Sequence, residues 1–302
     1  MIFRDGIDLR VVGVRVVILV PGTLGLPMIH VVRRADGSRR AQGPWVADER
    51  SGTWTTFAIS GRKLVECEYA HDLRQGWSTR YSAGGARRAQ GEYRGGERDG
   101  PWTFWRAGGG ERASGTYRDG RASATWTFWH DNGVVAQRGD YEDGLRAGPW
   151  IASHRNGKPK SESAWISGRM HGAFSAWHPG GGVLARGEYR DGAREGVWTT
   201  WHVNGVRAAE GDYQAGRRNL VWRLWHENGE RRAEGTFVDD VLEGWWSAWH
   251  EHGARASEGE FRAGMQHGPW RCWHADGSLD GRRTGVYIED VRVESLGGRE
   301  PA

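Results

Sequence analysis

The stretch Gly196-Val197-Trp198-Thr199-Thr200-Trp201-His202-Val203-Asn204-Gly205, followed by Gly211-Asp212-Tyr213-Gln214-Ala215-Gly216, decides the fold. Asn-Gly between two short runs that mix aromatic and polar residues is a hairpin signal. A two-residue type I′ turn needs positive φ at both central positions, and Asn-Gly tolerates that. Outward from this stretch the pattern repeats every 24 residues. Trp102, Trp126, Trp150, Phe174, Trp198, Trp222, Trp246 and Trp270 follow one another without insertion. Such strict phasing is the signature of a repeat architecture.

Other columns keep the phase. Three residues after the first aromatic stands a second, at Trp105, Trp129, Trp177, Trp201, Trp225, Trp249 and Trp273, with Ser153 the exception. A histidine column follows at His130, His154, His178, His202, His226, His250 and His274, with Arg106 in the earliest full unit. Asp119-Gly120, Asp143-Gly144 and Asp191-Gly192 signal a second tight turn at the other edge. Two tight turns in 24 residues leave no room for a helix, so the pattern predicts a meander of β-hairpins. The expected fold is all-β: a repeat protein whose tandem hairpins form one elongated, twisted antiparallel sheet. The phase divides the chain into a basic N-terminal segment without repeat (1–42), a repeat domain of about ten hairpins (43–290) and a C-terminal tail (291–302).

With Asn132-Gly133 at the tip, the turn predicts that His130 faces Val135, Phe128 faces Gln137 and Trp126 faces Gly139. A glycine then lies under the first ring, the cross-strand compensation known for aromatic and glycine pairs. Tyr141 sits diagonally beside Trp126, which predicts a continuous aromatic stripe. By alternation Trp129 points to the opposite face unless a bulge turns it back.

Composition agrees with a core made of rings. The chain holds 48 Gly and 19 Trp in a background that is 26% charged, without Gly-X-Y phasing. Its net charge of +4 comes from residues 1–42, where seven Arg face three Asp; the remainder carries 35 basic and 35 acidic residues. A neutral body argues against nucleic acid as the partner, because phosphate binding needs an excess of Lys and Arg. Cys67 and Cys272 are far apart and make no disulfide framework. The apolar run from Val11 to Val32 raises a signal peptide or anchor, but Arg15, Pro21 and Pro27 interrupt it. The expected location is therefore cytoplasmic, with export or anchoring left open.

Gly196-Val197-Trp198-Thr199-Thr200-Trp201-His202-Val203-Asn204-Gly205, Gly211-Asp212-Tyr213-Gln214-Ala215-Gly216 and Gly148-Pro149-Trp150 resemble the MORN repeat, and more closely its bacterial variant. The resemblance covers roughly residues 43 to 290. Departures from it are Trp where Tyr is usual, the histidine column and the unrepeated N-terminus. It implies a hairpin array used as a scaffold, a membrane-associated module or, in bacteria, an antitoxin of a toxin-antitoxin system.

No HExxH, P-loop, nucleotide-binding glycine fingerprint or nucleophile-base pattern is present, so no enzymatic activity, cofactor or metal is expected. Successive histidines of the column stand two strands apart, about 10 Å, too far to share a metal. They read as a solvated or Trp-stacked ladder. Gly108-Gly109-Gly110 and Gly180-Gly181-Gly182 read as hairpin tips, and Asp239-Asp240 as a turn. The expected function is a protein-binding scaffold, including an antitoxin or immunity protein that covers a toxin. The alternatives are an anionic-membrane module resting on the basic N-terminus and a carbohydrate binder resting on exposed Trp rows. The expected interaction surface comprises Trp105, Trp129, Trp177, Trp201, Trp225, Trp249, Trp273, His130, His202, His226, His250, Arg207 and Arg231. The sequence leaves the oligomeric state open.

Overall fold

The structure, a computed structural model, describes the backbone of residues 9–12 and 15–18 and the whole of residues 29–296. Most of the apolar run on which a signal or anchor would rest lies outside them. Among the described residues there are strands and turns and no helix, so none is long and apolar enough to cross a membrane. The chain is all-β and built of tandem hairpins. Its contacts divide it into two compact units, Met1–Ala147 and Gly148–Ala302, with the same construction.

In the first unit Ile29–Arg33 pairs with Arg39–Val46, which pairs in turn with Gly52–Phe57. From there each strand pairs antiparallel with the next, through Lys63–Ala70 and Leu73–Tyr81 to Val135–Glu142. The second unit runs the same way, from the pairing of Leu145–Ser153 with Pro159–Ile166 to Met265–Cys272. Gly285–Ile288 and Val291–Glu294 follow.

The two edges use different turns. At Asp119-Gly120 both residues have positive φ (47° and 75°), as the type I′ geometry requires. Asp239-Asp240 adopts the same turn without any glycine, at 50° and 72°. The Asn-Gly edge departs from expectation. There Gly133 N–H donates to His130 O and His130 N–H to Val134 O, and only Gly133 in the turn has positive φ (83°). This is a type I turn closed by a glycine bulge. His130 therefore faces Val134, not Val135. The slip is absorbed within two residues, because Trp129 pairs with Val135 while Phe128 pairs with Gln137 and Trp126 with Gly139, as expected.

A second irregularity lies before each first-column ring. Opposite Gly211 the neighbouring strand carries Leu220, Val221 and Trp222, since Glu210 pairs with Arg223 and Asp212 with Asn219. The residue two before the ring absorbs the bulge with positive φ: Gly100, Gly196 and Gly244 do so at 66° to 72°, Ala124 at 55° and Leu220 at 58°. At this bulge the indole N–H replaces a ladder donor. Trp102 donates to Glu92 O at 2.9 Å, Trp198 to Glu188 O at 3.1 Å and Trp270 to Glu260 O at 3.0 Å.

The ring lands on the glycine of the preceding strand. A Cβ built at Gly91, Gly115, Gly187, Gly211 or Gly259 would collide with Trp102, Trp126, Trp198, Trp222 or Trp270 respectively. The expectation that the glycine across the same hairpin carries the ring is corrected here. Trp102, Trp198 and Trp222 have a glycine in register on both neighbouring strands, and the bulge on the preceding side opens the space. Where Phe174 replaces Trp, Ser163 replaces Gly, and where Ser78 stands, Cys67 faces it.

These rings form the core on one face of the sheet, here the packed face. In the second unit Phe174, Tyr189, Trp198, Tyr213, Trp222, Phe237, Trp246, Phe261 and Trp270 succeed one another edge to face, with centroids 4.9 to 6.3 Å apart. That is the favoured geometry for quadrupolar rings. In the first unit Tyr93, Trp102, Tyr117, Trp126 and Tyr141 do the same. Arginines roof the stripe: Arg98 and Arg194 lie 4.7 and 4.5 Å from the Trp102 and Trp198 rings and donate to the Tyr117 and Tyr213 hydroxyls. Trp102 is thereby only 1% exposed.

The hairpin phase also reaches beyond the limits that the aromatic columns set. Gly43 lies under Trp54, Gly37 has positive φ (80°) and Arg34 occupies the histidine column, so a full hairpin begins at Ile29, inside the segment expected to lack repeats. At the other end Trp270 pairs with Gly285, two residues later than elsewhere. The extra length folds around Thr284, whose hydroxyl donates to Cys272 O and accepts from its N–H. Val291–Glu294, expected in the tail, is a strand of this last hairpin.

Candidate functional site

Strand alternation places the second aromatic column on the open face, opposite the core. The bulge beside Trp129 adds its extra residue to the partner strand and does not turn the ring back. Trp105, Trp129, Trp177, Trp201, Trp225, Trp249 and Trp273 are all half-buried. Guanidinium groups lie over four of them, Trp105, Trp201, Trp225 and Trp249. Arg87 lies 5.4 Å from the Trp105 ring, Arg207 5.2 Å from Trp225, and Arg231 and Arg255 5.9 and 5.2 Å from Trp249. These are cation–π contacts.

Each of those cations also holds an acceptor three residues on. Arg207 pairs with Glu210 at 3.1 Å, Arg231 with Glu234 and Arg255 with Glu258, and Lys63 with Glu66 at 2.5 Å in the first unit. Glu234 takes a second guanidinium, Arg223 at 3.2 Å, and Glu258 a second from Arg271 at 3.7 Å. Arg207 and Arg231 keep 48% and 40% of their side chains in solvent. The Lys63 ammonium holds the Glu66 carboxyl below the usual carboxylate range.

The histidine column is neither a free ladder nor a stack on Trp. His154 Nε2 meets Trp177 O at 2.9 Å, His178 meets Trp201 O at 3.0 Å, and His202, His226 and His250 meet Trp225, Trp249 and Trp273 O at 3.0, 2.9 and 3.0 Å. A carbonyl only accepts, so Nε2 carries the proton. Each imidazole thus ties one hairpin to the second-column residue of the next. Arg106 does the same to Trp129 O and Arg34 to Phe57 O. The imidazoles of His202, His226 and His250, expected in the interaction surface, spend this nitrogen inside the fold. His130 stands at its hairpin turn.

Further tethers run along both edges. Asn204 Nδ2 donates to Glu227 O at 2.7 Å on one. On the other Glu195 and Glu243 accept from Ala215 and Ala263 N–H at 3.0 and 2.8 Å. Burial pushes the Cys67 and Cys272 thiols up.

Residues that the sequence did not single out complete the open face. Val197, Val221 and Trp245 stand four residues before Trp201, Trp225 and Trp249 on the same strands and are 60%, 42% and 55% exposed. Trp245, Trp249, Ser247, Glu234, Thr236 and Val221 line a shallow recess of about 240 Å³. A signal for it was present: the column preceding the first ring holds Ala, Thr, Pro or Val except at Trp77 and Trp245. Comparison with protein-family models finds no match, and comparison with curated proteins finds no significant one.

Proposed function

We propose that the chain is a non-enzymatic protein-binding scaffold whose partner docks on the open face, with Trp201, Trp225, Trp249, Arg207 and Arg231 in the contact. One observation carries this reading. The rings that hold the hairpins together lie on the packed face, whereas the open face keeps a second row of Trp half-buried beside partly exposed guanidinium groups. Trp, Tyr and Arg are the side chains that dominate binding energy at protein interfaces. A regular array presents them at a fixed pitch, and residues between the columns set the partner.

The resemblance to the bacterial MORN variant supports a more specific form: the partner is a toxin and the chain its antitoxin or immunity protein. The test is co-purification of the full chain with the product of the adjacent gene. Reversing charge with Arg207→Glu and Arg231→Glu together is expected to weaken the complex at least about tenfold, the scale of one or two interface contacts. Equal binding by the reversed chain, or binding only to anionic liposomes, overturns the proposal.

A further inference from the structure

The second unit departs from its own repeat at Trp245 on the open face. In the column before the first ring the second unit carries Pro149, Ala173, Val197, Val221 and Pro269, none larger than Val, but Trp245 is a ring 55% exposed; its counterpart in the first unit is Trp77, 47% exposed. Two residues on, where Arg223 and Arg271 stand in the neighbouring repeats, Ser247 is small and only 8% exposed, its hydroxyl accepting from Arg255 at 3.3 Å. A large ring beside a small residue opens the recess between Trp245 and Trp249.

The recess has a charged axis. On the Trp249 side lie Arg231 and Arg255, and Arg223 and Arg271 bring four guanidinium groups to the two carboxylates Glu234 and Glu258. On the Trp245 side lie Glu260, directly paired with Trp245, and Glu243, paired with Thr236. One end is basic and the other acidic, about 13 Å apart at roughly 3.3 Å per strand residue.

We infer that this recess is the anchor site of the proposed protein interface: it takes one large apolar side chain of an extended partner segment. That segment carries a carboxylate two residues to one side of the anchor, against Arg231 and Arg255, and a cation two residues to the other, against Glu243 and Glu260. The inference rests on the reading of the open face as a protein-binding surface. An aromatic anchor in a desolvated slot ringed by charges is how such interfaces concentrate their energy.

The test uses the full chain and capped synthetic peptides with the core Glu-Ser-Phe-Ser-Lys, its Phe-to-Ala version and its Lys-to-Glu version, at low salt, read by the indole resonance of Trp249, which lines the recess and is kept in every variant. The parent peptide is expected to bind at least about tenfold tighter than either control. Trp245→Ser is expected to abolish the difference without lowering the melting temperature. Trp77→Ser, at the equivalent position of the first unit, is expected to leave the difference intact. Equal binding of the three peptides, a preference that survives Trp245→Ser, or a shift of the Trp249 resonance with chito-oligosaccharide alone overturns the inference. An adjacent-gene partner that binds Trp245→Ser normally would sink the anchor and leave the scaffold reading standing; peptide discrimination with no protein partner would do the reverse.

Discussion

Gly211 pairs with Trp198 within one hairpin yet lies beneath the indole of Trp222 in the next. The glycine is thus required by a ring eleven residues downstream. The chain's own exceptions agree: Phe174 faces Ser163, and Ser78 faces Cys67.

Gly211→Ala is therefore expected to lose about 1 to 3 kcal/mol by overpacking, with the environment of Trp222 disturbed and that of Trp198 spared. Adding Trp222→Phe should recover about 1 kcal/mol or more of coupling in a double-mutant cycle. Denaturant unfolding of the four proteins measures it; strict additivity would refute the pairing.

Leu220 occupies with φ 58° a bulge position that is glycine in most repeats, and its side chain is 55% exposed. Left-handed backbone costs a non-glycine residue about 1 to 2 kcal/mol, partly offset by the extra freedom glycine gives the unfolded chain. Leu220→Gly is expected to stabilise by about 0.5 to 1 kcal/mol. Gly196→Leu should destabilise at the equivalent site. A fall in melting temperature for the first variant would count against strain at the bulge.

His226 donates from Nε2 to Trp249 O across 23 residues. His226→Ala leaves that carbonyl without its donor and is expected to cost about 1 kcal/mol. His226→Arg should retain most of it, because Arg106 makes the equivalent bond to Trp129 O. Hydrogen exchange at the turn of the following hairpin reports the local loosening, and equal exchange in the Ala and Arg variants would remove the tether.

Asp240 accepts from both the backbone N–H and Nε of Arg218, at 3.1 and 2.8 Å, and these bonds hold its carboxyl below the usual carboxylate range. A folded-state value below the unfolded one adds stability above the ordinary carboxylate range, and that stability is lost as pH falls through it. The pair is exposed, so the contribution is small. Asp240→Asn should be less stable than the parent near about pH 7, and the gap should close by about pH 2.5. A gap of constant size would mean that the turn, not the charge, is at stake.

The 24-residue columns made the hairpins, the Trp126–Gly139 and Phe128–Gln137 register and the aromatic stripe legible. What stayed hidden has physical causes. Asn-Gly suits a type I′ turn and equally a type I turn closed by a glycine bulge, so residue identity did not separate them. Trp198 has a glycine on either side in register, and only the bulge at Gly196 tells which one lies under the ring. The hairpin at Ile29 was masked because His30, Val32 and Arg33 stand where other repeats carry rings. The histidines read as a solvated or Trp-stacked ladder because their acceptor is a backbone carbonyl, which leaves no mark on sequence.

The two turn types also decide where such a chain is divisible. Gly187 and the Trp198 ring that covers it belong to the two strands joined by Asp191-Gly192, whereas Trp198 and Gly211 merely face each other around the Asn204-Gly205 loop. A cut at the Asn-Gly loops keeps every ring with the glycine beneath it inside one 24-residue block, and a cut at the Asp-Gly turns separates them. Gene duplication, recombination or a designer's splice that joins blocks at Asn-Gly therefore inherits matched pairs. Joined at Asp-Gly, the same blocks set one parent's ring on another's glycine, and a Phe–Ser or Trp–Gly lineage would breed true only across the first kind of seam.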